Sequence, residues 1–137
     1  MDDTSRFLEE FDSRPGATDE QIALAEAELG TELPAGYVEF LKNRNGGEGV
    51  IGEAYAMLWE ISELASLNLS YQSNKWAPGL IIFGSDGGGE AFGFDTRDPS
   101  WPIVMIPFIG MLWEHARPLG DTFSQFVESL YVGKTCE

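Results

Sequence analysis

Positive charge, cysteine and histidine are all scarce in this chain. Its 137 residues carry 8 Lys and Arg against 23 Asp and Glu, a formal net charge of −15. Such a chain repels phosphate backbones and anionic lipid surfaces, so nucleic acid and membrane are excluded as ordinary partners. Cys136 is the only cysteine. No internal disulfide can form, which fits a reducing cytoplasm. His115 is the only histidine. One His and one Cys cannot fill the usual four-ligand zinc site, so no metal or cofactor is expected. Long apolar runs are missing too. The longest uncharged one, Trp101 to Trp113, is too short to span a bilayer and is broken by Pro102, Pro107 and Gly110. Met1-Asp2-Asp3 lacks the basic and apolar regions of a signal peptide. These features predict a soluble, cytoplasmic protein.

What is present argues for a globular chain. Hydrophobic residues make up 43% and aromatics 12%, more than a disordered chain carries. The length predicts one domain over residues 1–137, because a second core would leave each half too small to be stable. The acid is uneven: nine acidic and two basic residues lie within residues 1–30. A protein this acidic attracts and steers a basic protein partner.

Local patterns predict the elements. Phe7, Leu8 and Phe11 sit on one side of a short helix over Ser5 to Phe11. Thr18 reads as an N-cap, Gln21 completes a capping box, and Asp19 and Glu20 suit the positive end of the helix dipole. Ile22, Ala25 and Leu29 line that helix's buried face, and Gly30 stops it. Pro34 opens a third helix as its first residue. Tyr37, Phe40 and Leu41 are spaced for burial, and Asn45-Gly46-Gly47 ends the helix. Tyr55 to Trp59 is a short aromatic strand, whereas Ile61 to Tyr71 has a helical spacing. Leu80 to Phe83 and Glu90 to Asp95 form a hairpin around the glycine-rich turn Ser85 to Gly89. Ile103 to Ile106 adds a strand. Asp121 or Thr122 caps a last helix carrying Phe123, Phe126, Val127 and Leu130. Helices, then strands, then a closing helix predict an α+β fold with a mainly antiparallel sheet.

The motifs that might carry chemistry read mostly as structure. Gly47-Glu48-Gly49-Val50-Ile51-Gly52 fits G-x-G-x-x-G by letter, but a helix precedes it and Glu48 and Glu53 would face any phosphate, so it reads as a loop. Gly84 to Gly89 has phosphate-loop spacing, but Glu90 stands where lysine is required. Asp86, Glu90 and Asp95 have the chemistry of a cation site without an EF-hand pattern. They read better as part of a recognition loop, whose carboxylates take hydrogen bonds from a partner's Arg. Any Ser–His–Asp or Cys–His scheme would need His115, which reads as an exposed loop residue. Tryptophan is enriched at protein interfaces. Trp59 reads as half buried, and Trp76, after Gln72-Ser73-Asn74-Lys75, as an exposed anchor in a loop. The partner-binding candidates are therefore Asp86, Glu90, Trp59, Trp76 and Glu53.

The order of motifs resembles the SMI1/KNR4 family of the SUKH superfamily over about residues 19–131. The resemblance rests on Leu29-Gly30-Thr31-Glu32-Leu33-Pro34 and Asn45-Gly46-Gly47. It continues in Phe83-Gly84-Ser85-Asp86-Gly87-Gly88-Gly89-Glu90, in Phe92-Gly93-Phe94-Asp95, and in Thr122-Phe123-Ser124-Gln125-Phe126. It implies an α+β domain that recognises other proteins and has no established catalytic residues. Many bacterial relatives are immunity proteins that neutralise a toxin, often a nuclease, and fungal relatives are scaffold and regulatory proteins of cell-wall synthesis. The expected function is non-enzymatic: neutralising a basic toxin domain by covering its active site, with DNA mimicry as a variant. A regulatory or scaffold domain with a housekeeping partner is the alternative. A small metal-dependent hydrolase using Asp86, Glu90 and His115 stands third.

Overall fold

The computed structural model describes residues 5–133. A 3-10 turn (Ser5–Leu8) leads into strand β1 (Phe11–Pro15), then helices α1 (Asp19–Leu29) and α2 (Ala35–Asn43). Strands β2 (Arg44–Ile51) and β3 (Ala54–Leu58) follow, then helices α3 (Leu64–Tyr71) and α4 (Ser73–Trp76). The chain continues through β4 (Leu80–Ser85), β5 (Glu90–Asp95), β6 (Ile103–Pro107) and β7 (Arg117–Gly120), and closes with helix α5 (Phe123–Tyr131). The seven strands lie in one sheet in chain order, every neighbouring pair antiparallel. The fold is α+β, as expected. Among the described residues no helix is long and apolar enough to cross a membrane. Cys136 lies outside the described residues.

The helix signals work as local chemistry predicts. The Thr18 hydroxyl accepts the Gln21 N–H at 3.1 Å, and the Gln21 side chain accepts the Thr18 N–H at 2.9 Å, which satisfies two donors that an α-helix start leaves open. Gly30 ends α1 with φ 77°. Thr122 caps α5 by accepting the Gln125 N–H at 3.1 Å. Pro34 stands one position earlier than expected, in the cap before Ala35.

Four expectations fail, the first three where a distant strand decides the outcome. The helix over Ser5 to Phe11 is instead a single turn through Leu8. Phe11 opens β1, where it pairs with Gly49 and is buried. Asn45-Gly46-Gly47 does not end a helix in a turn; it lies inside β2. There the Asn45 side chain accepts the buried Ile61 N–H at 2.8 Å. Its glycines are required by close backbone approach. A Cβ on Gly46 would sit 2.5 Å from the Leu58 carbonyl oxygen, and one on Gly47 2.3 Å from that of Asp12. The run Gly47 to Gly52 is therefore strand and hairpin turn, not a free loop. Gln72 to Lys75 is likewise not a loop, because α4 starts at Ser73.

The inner face of the sheet packs against α2 and α5, and Ile22 and Ala25 of α1 join the same core from beside α3 and the Ile61–Glu63 turn. Phe126 of α5 meets Phe83 and Phe92 edge-on, both at 5.1 Å between ring centres, and Tyr37 of α2 meets Phe94 at 5.2 Å. The outer face is covered only in part. Over β4 to β6, Leu80, Ile82, Ala91, Val104 and Ile106 bury against Ala77 and Met111, and the Trp113 indole N–H donates to the Pro78 carbonyl at 2.9 Å. Over β2 and β3 the outer side chains Val50, Tyr55 and Met57 stay exposed.

The two halves meet at a weak seam. β3 and β4 pair only at Met57–Ser85 and Leu58–Gly84. Beyond that point the Asn68 side-chain amide takes the place of a strand: its Oδ1 accepts the Ile82 N–H at 2.7 Å and its Nδ2 donates to the Ile82 carbonyl at 2.8 Å. At the far edge, the Ser129 hydroxyl donates to the Leu119 carbonyl of β7 at 2.6 Å. Asn68→Ala leaves both backbone groups of buried Ile82 without these partners, at a cost of about 2–4 kcal/mol in urea unfolding. A loss under about 0.5 kcal/mol, within the range of an ordinary surface substitution, would show that water or a relaxed strand replaces the amide.

Candidate functional site

Three of the five predicted residues gather at one end of the sheet. Glu53 lies in the β2–β3 turn, while Asp86 and Glu90 bracket the β4–β5 turn. The Met57–Ser85 register places both turns at the same end. Trp59 follows the opposite end of β3. Trp76 is carried on α4, half exposed, with the Lys75 ammonium 5.1 Å from its ring. The five residues therefore do not form one patch.

The glycine-rich turn is held from within. The Asp86 Oδ1 accepts the Gly88 N–H at 2.7 Å and the Glu90 N–H at 3.0 Å, the side-chain-to-backbone bonding that fixes tight turns. The Ser85 hydroxyl accepts the Gly87 N–H at 3.2 Å. One Asp86 oxygen is thus committed to the turn. Gly87, at φ 76°, lies against β3: a Cβ there would stand 3.3 Å from the Tyr55 ring and 3.4 Å from the Met57 sulfur.

Glu90 is partly buried. Burial holds its carboxyl above the ordinary 4.5, and nearby Asp86 adds to this, while Arg117, 3.9 Å away, opposes both. Asp95 does not join these groups. It sits at the other end of β5 in a two-point bond with the Arg97 guanidinium, at 2.9 and 3.0 Å, which holds its carboxyl below the usual range. Among the described residues no group of three or more His, Cys, Asp or Glu is placed to share an ion. The exposed His115 sits in a 3-10 turn rather than an open loop, its Nδ1 2.9 Å from the Gly110 carbonyl oxygen. Trp59 is half buried, as expected, and stacks on Tyr71 at 6.0 Å and 12° between ring planes.

The surface that sequence reading passed over is the outer side of β1 to β3. The register places Asp12 opposite Glu48, Glu48 opposite Met57, and Val50 opposite Tyr55. The Tyr55 hydroxyl donates to the Glu48 carboxylate, and this bond is the main cause of the raised phenol pKa of Tyr55. A signal was available in β3. Ala54, Ala56 and Leu58 alternate with Tyr55 and Met57. Phe11, Leu41 and other large side chains fill the inner core, so two alanines suffice on that side and the larger residues face out.

The SMI1 / KNR4 family model (SUKH-1) matches residues 16–129. No curated protein matches the chain.

The Glu90 environment sets a pH dependence. A carboxyl whose folded-state pKa is raised disfavours the folded state once ionised, and that penalty disappears below 4.5, where both states are protonated. Glu90→Gln is therefore expected to be more stable than the parent in urea at pH 7, with the gap closing as pH falls through 4.5. A variant less stable at pH 7 would mean that the Arg117 contact outweighs burial.

Proposed function

Because the chain belongs to the SMI1/KNR4 family (SUKH-1), we propose that it is a non-enzymatic protein-binding protein, an immunity protein that neutralises a cognate bacterial toxin. It does so by lying over the toxin's active site. The observation that carries this reading beyond the family is the charge of −15. It suits a basic target, such as the catalytic face of a nuclease, which must itself attract phosphate. Glu53, Asp86 and Glu90 supply acid at one end of the sheet, and Trp59 and Trp76 supply aromatic surface. The long-range field raises the encounter rate, and close contacts between shaped surfaces set the lifetime of the complex.

The test is co-expression with toxin domains encoded beside the gene, followed by binding kinetics at several salt concentrations. Rescue of growth is expected, with an association rate that falls by about tenfold or more from low to high salt and a dissociation rate that changes little. Failure to rescue against every such domain, together with tight binding to one housekeeping protein, would replace the immunity reading with that of a regulatory or scaffold domain.

A further inference from the structure

We propose that the open outer half of the sheet, over β1 to β3 and the β4–β5 turn, is a docking surface for a protein segment that presents an arginine between apolar side chains. This rests on the protein-binding reading above and adds the place and the chemistry of recognition.

The centre of the surface is apolar. Val50, Tyr55 and Met57 are 41%, 42% and 37% exposed, on adjacent strands and on one face. Met105 and Met111, on the closed part of the molecule, are nearly inaccessible. The glycine-rich turn walls one side, with Gly87 against Tyr55 and Met57. Grouped side chains of this kind, edged by polar groups, are typical of interaction sites.

Charge selects the occupant. Asp12 and Glu48 stand directly opposite each other across β1 and β2. Like charges in that position repel and weaken a sheet. Among the described residues no Lys or Arg lies within ion-pair distance of either, and Arg14, on the same strand as Asp12, is engaged by Glu60 at 3.4 Å. A guanidinium placed between Asp12 and Glu48 would relieve the repulsion and donate charge-assisted hydrogen bonds to both carboxylates. Glu48 is already oriented by the Tyr55 hydroxyl. The Tyr55 ring beside it offers a face to the same cation. Leucine-like side chains flanking the arginine would rest on Val50 and Met57. An acidic segment is repelled by the same carboxylates, and a purely basic one leaves the apolar centre uncovered.

The probe is a synthetic peptide of alternating arginine and leucine, titrated into the isotope-labelled full chain and followed by amide chemical shifts. Perturbations are expected at Asp12, Glu48, Val50, Tyr55, Met57 and the turn around Gly87. Tyr55→Ala and Met57→Lys should each weaken binding by about fivefold or more with spectra otherwise preserved, the lysine because it removes apolar surface and neutralises Glu48 opposite it, whereas Leu24→Ala, at an exposed position on α1, should change it by less than about twofold, as expected when a few central residues carry most of the affinity. A glutamate–leucine peptide should produce no shifts. Perturbations spread over α1 and the rest of the acidic surface, or equal binding by the acidic peptide, would overturn the proposal. So would a Met57→Lys or Tyr55→Ala chain that binds as the parent does. The two readings fail separately. Peptide binding at this face with no toxin neutralised removes the immunity function alone. Neutralisation that survives both substitutions, with the peptide bound elsewhere, removes this surface alone.

Discussion

Water has to be kept from both faces of a sheet that carries large apolar side chains, and this chain meets that demand unequally. On the inner face every strand contributes to one core with α2 and α5, which Ile22 and Ala25 of α1 join, and Tyr37, Phe83, Phe94 and Phe126 pack ring against ring. On the outer face the second cluster closes β4 to β6 and stops. Clusters of this kind stabilise by removing apolar area from water, at roughly 25 cal/mol per Å². Leaving Val50, Tyr55 and Met57 outside therefore forgoes stability that a further covering element would supply. The open half follows from the order of elements: the segments after β3 and after β6 fold back over the later strands, and none returns over β2.

The boundary between the halves is built with side chains where strand pairing runs out. β3 and β4 share two paired positions. The Asn68 amide then satisfies Ile82, after the Trp59 backbone N–H has made one last bond to the Phe83 carbonyl at 2.9 Å. Trp59 and Tyr71 stack across this seam, and Tyr71 meets Phe108 at 4.8 Å. The aromatic residues that looked like binding anchors in the sequence are in part the rim of the closed half. The Asp86 turn, fixed by its own carboxylate, stands at the same boundary and borders the open half.

Much of the fold was legible from local chemistry, because caps and turns depend on near neighbours. Thr18 with Gln21, Gly30, and the Ser85 to Gly89 turn behave as their residue types require. β1 and β2 were not legible, since β1 is a strand only through β2, and β2 only through β1 and β3. Nothing near Phe11 announces that Gly49 will pair with it, and Asn45-Gly46-Gly47 looks like a helix end until Leu58 and Asp12 are seen to press on its glycines. The candidate site was legible in the same proportion. Asp86 and Glu90 sit on a turn, as read, and Glu53 falls at the same end. Glu48, Tyr55 and Met57 become one surface only once the register of β1, β2 and β3 is known.

The central claim is that the open half-face is where a partner sits, and Met57 reports on it directly. Thioether oxidation follows exposure, so dilute peroxide should oxidise Met57 well before the buried Met105 and Met111 in the free protein. In complex with a toxin domain whose activity the protein blocks, the Met57 rate is expected to fall toward those of Met105 and Met111. A Met57 that oxidises as fast in that complex as in the free chain would contradict the account.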